Sequence, residues 1–306
     1  MGRTKRKGRP IHGWLCLDKA PGMNSTAAVT QVRRITDAAK VGHGGTLDPL
    51  ATGVLPIALG EATKTVAYVM DGEKHYGFTA RLGEQRTTDD SEGEVLARSE
   101  VRPTTEAIEA ILPDFVGLIE QIPPRFAAIK VAGERAYDLA RRGEVVDLPP
   151  RTVAIEKLRL VDRPDDDHVR FELVCGRGTY VRALVRDIGE RLGCLGHVVA
   201  LRRHRVGPFR DDAAISLAVL EQLVADDALP QALVSLAAVL DDMPTLRLTQ
   251  PQAHRLRSGQ TIRVAPHLLA GDADDETTVR AMAAGEVVAL ARLHGSELSP
   301  VRVFNL

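Results

Sequence analysis

Apolar positions along the chain fall into two spacings, and the alternation between them outlines a fold. Residues 13–17, 54–59, 75–82, 126–131, 153–161 and 169–174 read as strands. Helical spacing takes over between them. Ala28, Val29, Val32 and Ile35 share one face of a helix that Ser25 or Thr26 caps and that runs to about residue 39. Val181, Leu184, Val185 and Ile188 mark another over residues 179–192. Further helices start at Glu61, span 104–112 before Pro113, and span 134–142 before Gly143. Residues 215–240 are Ala/Leu-rich and helical, and Pro244 marks a boundary. Short strands around one helix near 250–257 follow. This order predicts an α+β fold: a mixed, largely antiparallel sheet flanked by helices, with a small C-terminal β-rich domain. The expected division is a disordered arm over 1–10, a large domain over 11–243 and the small domain over 244–306.

Composition narrows the class. With 306 residues, 44% hydrophobic and 26% charged, the chain can bury a real core beneath an ordinary soluble surface. No apolar run approaches the ~20 residues of a membrane span, and the N-terminus lacks the apolar stretch of a secretion signal. A cytoplasmic protein is expected. Cys16, Cys175 and Cys194 form no Cys-x-x-Cys pair, which points to buried reduced thiols. It argues against a zinc site, a disulfide framework and the zinc deaminases.

A net charge of −1 taken alone argues against a nucleic-acid binder, but the distribution is uneven. Arg3, Lys5, Arg6, Lys7 and Arg9 form a basic tail, and Arg202, Arg203, Arg205 and Arg210 a second cluster. Acidic residues collect around 162–167 and 272–276. Phosphate contact requires a local basic face, although a solvated charge run is the commoner meaning of any one cluster.

The most unusual stretch is Gly42-His43-Gly44-Gly45-Thr46-Leu47-Asp48-Pro49-Leu50-Ala51-Thr52-Gly53. Its glycines let the backbone take left-handed conformations and approach a ligand closely. Asp48, before Pro49, is held away from the helical region, so its carboxylate sits on a fixed turn. Asp before Pro is also a common turn starter. Two nucleotide motifs fail here. Gly42-x-Gly44 meets Leu47 where a dinucleotide fingerprint needs Gly or Ala, and Gly60-Glu61-Ala62-Thr63-Lys64-Thr65 lacks the Gly-Lys-Ser/Thr junction of a phosphate loop.

Residues 42–53 closely resemble the signature loop of the TruB family, the bacterial tRNA pseudouridine-55 synthases. The likeness extends to Gly13-Trp14-Leu15-Cys16-Leu17-Asp18-Lys19-Ala20-Pro21-Gly22-Met23-Asn24-Ser25, to Lys74-His75-Tyr76 and to Pro123-Pro124-Arg125-Phe126-Ala127-Ala128-Ile129-Lys130. It continues through Gly178-Thr179-Tyr180-Val181-Arg182, Leu201-Arg202-Arg203 and Val206-Gly207-Pro208-Phe209. These blocks lie in order over residues 12–210, and their combination is highly specific. Gly44 stands where the family usually has Thr, and Ala20 and Asn24 replace Pro and Thr.

The resemblance implies a pseudouridine synthase core, with Asp48 as the nucleophile that attacks the target nucleotide. Arg182 matches the arginine that pairs with this carboxylate. Read alone, Arg182 and Arg186 are equally eligible. Tyr76 matches the tyrosine that stacks on the base and is a candidate to remove the C5 proton. His43 corresponds to a histidine that enters the RNA stack, Tyr180 and Leu201 to residues lining the base pocket, and Lys19 to a basic residue near the RNA. Arg202 and Arg203 are expected to contact RNA. So are Lys130 and Arg141, in an insertion over residues 123–150 that should close over it. Uridine isomerisation needs no cofactor and no metal. A carboxylate can add to the ribose or assist its ionisation, and an arginine partner opposes the effect of desolvation and orients it.

The expected substrate is therefore uridine 55 in the TΨC stem-loop of tRNA. A monomer is expected, without guide RNA, obligate protein partner or membrane. The competing readings are a non-catalytic RNA-folding factor, the guide-RNA-dependent branch of these synthases, and a dinucleotide oxidoreductase. The failed fingerprint disfavours the last.

Overall fold

The computed structural model of the chain describes residues 8–127, 129–131, 134–135, 142, 147–264, 269–270 and 277–306. The strands β1 (Gly13–Lys19), β2 (Val41–His43), β3 (Thr52–Leu59) and β4 (Lys74–Leu82) precede a hairpin of β5 (Glu84–Arg86) and β6 (Val95–Arg98). Then come β7 (Gly117–Gln121) and the short pair β8 (Lys130–Val131) and β9 (Glu134–Arg135). The large domain ends with β10 (Arg151–Asp162), β11 (His168–Cys175), β12 (Gly196–Val206) and β13 (Phe209–Arg210).

The main sheet runs β1-β3-β12-β4-β11-β10-β7, with β2 added on β3 and β13 on β12. Its pairings are antiparallel except one, where β3 and β12 run parallel through Thr52–Arg202 and Gly53–Arg203. The expected mixed, largely antiparallel sheet is present.

The helices α1 (Ser25–Thr36), α2 (Val66–Asp71), α3 (Thr105–Ile111) and α4 (Val181–Arg191) flank it. The predicted stripe of α4, Val181, Leu184, Val185 and Ile188, is buried in one cluster with Phe78, Phe171, Leu173 and Leu201. The Phe78 and Phe171 rings stack at 5.2 Å between centroids, on neighbouring strands where aromatic pairs stabilise a sheet.

Several sequence expectations are corrected. Asn24, not Ser25 or Thr26, caps α1 by accepting from the Ala27 N–H at 2.8 Å. Ser25 is instead buried and bonds both backbone groups of Leu47. Asp37, in the left-handed region at φ 50°, ends the helix before residue 39. Glu134 and Arg135 form a strand, because they pair with β8. The remainder of the predicted helix over 134–142 lies outside the described residues, apart from Arg142.

The helical region over 215–240 is broken into α5 (Leu217–Ala225), a 3-10 turn at Leu229–Ala232 and α6 (Leu236–Val239). Two causes act there. Pro230 cannot donate to a helical ladder, and the backbones of Ile215 and Val234 bridge to Leu17 and Trp14 of β1. Within the expected arm over residues 1–10, Arg9 bridges Ala38. Its first seven residues lie outside the described residues.

The C-terminal domain holds β14 (Thr245–Arg247), α7 (Gln250–Arg257), β15 (Ile262–Arg263), β16 (Leu269–Ala270), β17 (Thr278–Ala283), β18 (Glu286–His294) and β19 (Glu297–Val303). They form one sheet in the order β15-β19-β18-β17-β14-β16, packed around α7. A capping box between Thr249 and Gln252 starts that helix. A further core cluster joins the domains: Trp14, Val54 and Phe209 pack with Leu240, Val287, Leu290 and Phe304. Two polar ties reinforce it, Lys64 Nζ donating to the Val303 carbonyl at 2.7 Å and the Asn305 N–H to Glu61 at 3.0 Å.

Candidate active site

The glycine-rich segment leaves the sheet at His43 and rejoins it at Thr52. Two cations hold its shoulders from below. Arg203 of β12 donates to the carbonyls of Val54 at 2.8 Å, Thr46 at 3.2 Å and Gly45 at 3.1 Å. Lys19 at the end of β1 donates to Ala20, Met23 and Pro49. Gly53 is required where β3 passes β12. Its φ is 94°, and a Cβ there would lie 2.3 Å from the Arg203 carbonyl oxygen. Ser25 pins Leu47, so the residues on both sides of Asp48 are fixed by buried bonds.

Asp48 and Arg182 meet across 134 positions of sequence. Arg182 Nε donates to Asp48 Oδ2 at 2.9 Å and Nη2 to Oδ1 at 3.0 Å, the bidentate fork that suits a guanidinium to a carboxylate. The remaining Arg182 donors reach the Thr88 and Phe126 carbonyls, both at 2.9 Å. The Arg182 side chain is 4% exposed and that of Asp48 30%, so the acid faces outward from a buried cation. It looks into a cleft of about 370 Å³, lined also by Asn24, His43, Thr46, Thr88 and Phe126. That volume suits a small ligand. A carboxylate fixed and oriented this way can add to, or stabilise, an electron-poor carbon of whatever enters.

A second layer surrounds Arg182. Asp90, buried, accepts from the Glu92 N–H at 3.1 Å and lies 3.6 Å from Arg182 Nε. Arg186 turns away to Asp89 at 3.2 Å and Asp187 at 2.8 Å, so the geometry selects Arg182 as the partner of Asp48. Burial pushes the Asp89 carboxyl up to about 6 from an ordinary 3.8, against the pull of Arg186 and Arg182.

The sign of the consequence follows from proton counting. Between pH 4 and 6 the unfolded chain has ionised Asp89 while the folded one still holds the proton. The stability this group contributes is therefore complete below about 3.8 and is lost as pH rises through about 6. Relative to wild type, Asp89→Asn should remove a downward slope of at most about 1.4 kcal/mol per pH unit in that window, read by urea unfolding. Parallel curves for the two proteins would refute it.

The other expected site residues separate into groups. His43 lines the cleft with Asp48. Tyr76 of β4 is half-buried against the main core beside Leu201, a diagonal neighbour on β12. Burial pushes the Tyr76 phenol above its ordinary value, and the Arg203 charge pulls the other way. The Tyr180 phenol is raised first by burial and then by the Asp48 charge, which places it near that acid. Gln121 fixes Tyr180 by bonding its N–H at 2.8 Å and its carbonyl at 3.1 Å.

Three basic residues expected at RNA have partners within the protein. Lys19 and Arg203 are buried and donate to backbone carbonyls. Arg202 faces outward, but its guanidinium bonds Asp18 at 3.0 and 3.3 Å. The cause is strand geometry, since alternation along β12 sends Arg202 and Arg203 to opposite faces. Arg141 and the Lys130 side chain lie outside the described residues, as does much of the insertion over 123–150. The acidic run at 272–276 does too.

Sequence reasoning missed Thr88, Asp90, Glu92 and Gln121. The run Thr87-Thr88-Asp89-Asp90-Ser91-Glu92-Gly93 carries a signal, an acidic turn-rich stretch between strands, but nothing in it marks one aspartate as buried. Among the described residues, no group of His, Cys, Asp or Glu is arranged to hold a metal ion, and no helix is long and apolar enough to cross a membrane.

Comparison with known proteins adds independent findings. The family profile of the TruB family pseudouridylate synthase N-terminal domain matches residues 33–181, and that of the tRNA pseudouridylate synthase B C-terminal domain matches residues 182–246. A tRNA pseudouridine synthase B from Bradyrhizobium diazoefficiens is 54% identical over 99% of this chain and 89% of its own. One from Caulobacter vibrioides is 52% identical over the full length of both. Among solved structures, the Cbf5-Nop10-Gar1 complex contains a chain that superposes with a TM-score of 0.75 at 24% identity, covering 96% of this chain and 85% of that one. That likeness concerns the fold.

Proposed function

The chain belongs to the TruB family of pseudouridylate synthases, and from that membership we propose that it converts uridine 55, in the TΨC arm of tRNA, to pseudouridine. The observation that carries this reading is the bidentate Asp48–Arg182 pair at the mouth of a nucleotide-sized cleft. The 54%- and 52%-identical relatives named for tRNA support the substrate class.

A uridine stacked in an RNA loop cannot reach Asp48, so it must swing out, at a cost on the order of a few kcal/mol. His43, which lines the cleft, fills the gap it leaves. Asp48 then adds to C1′ or assists its ionisation, and the N1–C1′ bond breaks with its electron pair leaving on the uracil. The base turns in the pocket, C5 bonds to C1′ as any Asp48–C1′ bond breaks and returns its electron pair to the carboxylate, and the C5 proton is removed, for which Tyr76 is the candidate base. A proton on N1 balances the exchange, so atoms and electrons are conserved and no cofactor enters. Arg182, by holding both carboxylate oxygens, orients the acid before the ribose arrives.

The enzyme is proposed to work alone in the cytoplasm as a monomer, without guide RNA. Incubating it with unmodified tRNA and no additive, then mapping modification at nucleotide resolution, should give pseudouridine at position 55. A product at another position would overturn the substrate, and no product would overturn the stand-alone reading.

A further inference from the structure

We infer that Arg203 is a positioning residue of this site: one buried guanidinium ties the nucleophile's segment to the strand that carries Tyr76, and so sets the two groups relative to each other. The inference rests on the proposed function, which gives Asp48 and Tyr76 roles in one reaction.

Arg203 is 2% exposed, so it is all but closed to solvent. Among the described residues no carboxylate pairs with it, although a buried charge is unfavourable unless its donors are met. Here three donors are met by main-chain carbonyls, and a side-chain bond joins the guanidinium to Tyr76 as well. Nε takes the Val54 carbonyl at 2.8 Å, Nη1 that of Thr46 at 3.2 Å and Nη2 that of Gly45 at 3.1 Å. Those carbonyls bracket the Asp48 turn on both sides. The backbone of Arg203 stands opposite Tyr76 on one neighbouring strand and opposite Gly53 on the other. A single residue therefore contacts the entry to the turn, its exit, and the register of the tyrosine.

A planar guanidinium suits this task, since its donors diverge in fixed directions within one plane. An ammonium at the same place is a compact point with shorter reach. Lys19 shows the difference: its three carbonyls, Ala20, Met23 and Pro49, lie on the turn's other shoulder and do not include the segment next to Tyr76. The Arg203 charge also opposes the upward push of burial on the Tyr76 phenol, alongside Cys175 and Asp48, which push it further up.

The test compares full-length wild type, Arg203→Lys and Arg203→Met on unmodified tRNA transcript. It measures kcat, KM, tRNA affinity by filter binding, and thermal melting. Both variants are expected to stay folded and to bind tRNA within about twofold of wild type, while kcat falls on the order of 10²-fold, as sub-ångström misplacement of reacting groups does. Arg203→Lys should keep more activity than Arg203→Met. Folded variants with wild-type kcat would overturn the inference, as would a loss confined to tRNA affinity. Unfolding of both variants would also overturn it, making Arg203 a general core residue. An active wild type beside undiminished variants sinks this inference alone, whereas an inactive wild type sinks the reading beneath it.

Discussion

Asp48→Asn is expected to lower turnover by on the order of 10⁴-fold or more while leaving fold and tRNA binding in place. The amide matches the carboxylate in shape, and its oxygen still accepts one bond from Arg182. Its nitrogen cannot accept the other, and neither atom can attack or support C1′ as an anion does. The stability cost is small because the side chain is 30% exposed and only one charge-assisted bond disappears. Single-turnover pseudouridine formation measured beside filter binding of tRNA decides the matter. A non-catalytic RNA-folding factor would form no pseudouridine with or without the change and would keep its tRNA binding. Activity within tenfold of wild type would remove Asp48 from the centre of the chemistry.

Arg182→Met should cost about 3–5 kcal/mol of stability and nearly all activity. The guanidinium is 4% exposed and makes four hydrogen bonds, two to Asp48 and one each to the Thr88 and Phe126 carbonyls. Methionine fills the volume but satisfies none of these. It also leaves Asp90, itself buried, without the cation that lies 3.6 Å away. Arg182→Lys keeps a charge, yet one ammonium cannot span both carboxylate oxygens and two divergent carbonyls. It should recover part of the stability and little of the rate. Urea unfolding and kcat, measured on the same preparations, test both statements. A stability loss below about 1 kcal/mol would mean the pair is solvated and contributes like a surface ion pair.

These two residues were legible in the sequence for different reasons. Asp48 stands out physically, as an acid on a glycine-rich turn fixed by Pro49. Arg182 does not, because a helical arginine usually faces solvent, and only the family resemblance separated it from Arg186. The structure supplies the physical reason, since Arg186 is held by Asp89 and Asp187.

The strand Gly196–Val206 was invisible because Arg202, Arg203, His204 and Arg205 in succession look like a surface cluster. What hides the signal is the burial of Arg203 on main-chain carbonyls, which no pattern of side-chain types reports. Lys19 escaped for the same reason. The C-terminal helix, with both partners of its capping box written locally at Thr249 and Gln252, was read with the right bounds. Asn24 lost its capping role to Ser25 in the sequence reading because adjacent residues can all cap, and only the tertiary bond of Ser25 to Leu47 resolves them.

The parallel join of β3 and β12 carries a consequence for synthesis. These neighbouring strands are contributed by stretches separated by most of the large domain, and such distant pairings form slowly. On the ribosome, the aspartate's turn emerges early with Ser25 and Lys19 to hold it, but its contacts with the arginine more than a hundred residues later wait until that residue has cleared the exit tunnel. The setting of that turn is thus completed late, once the strand Gly196–Val206 has been made.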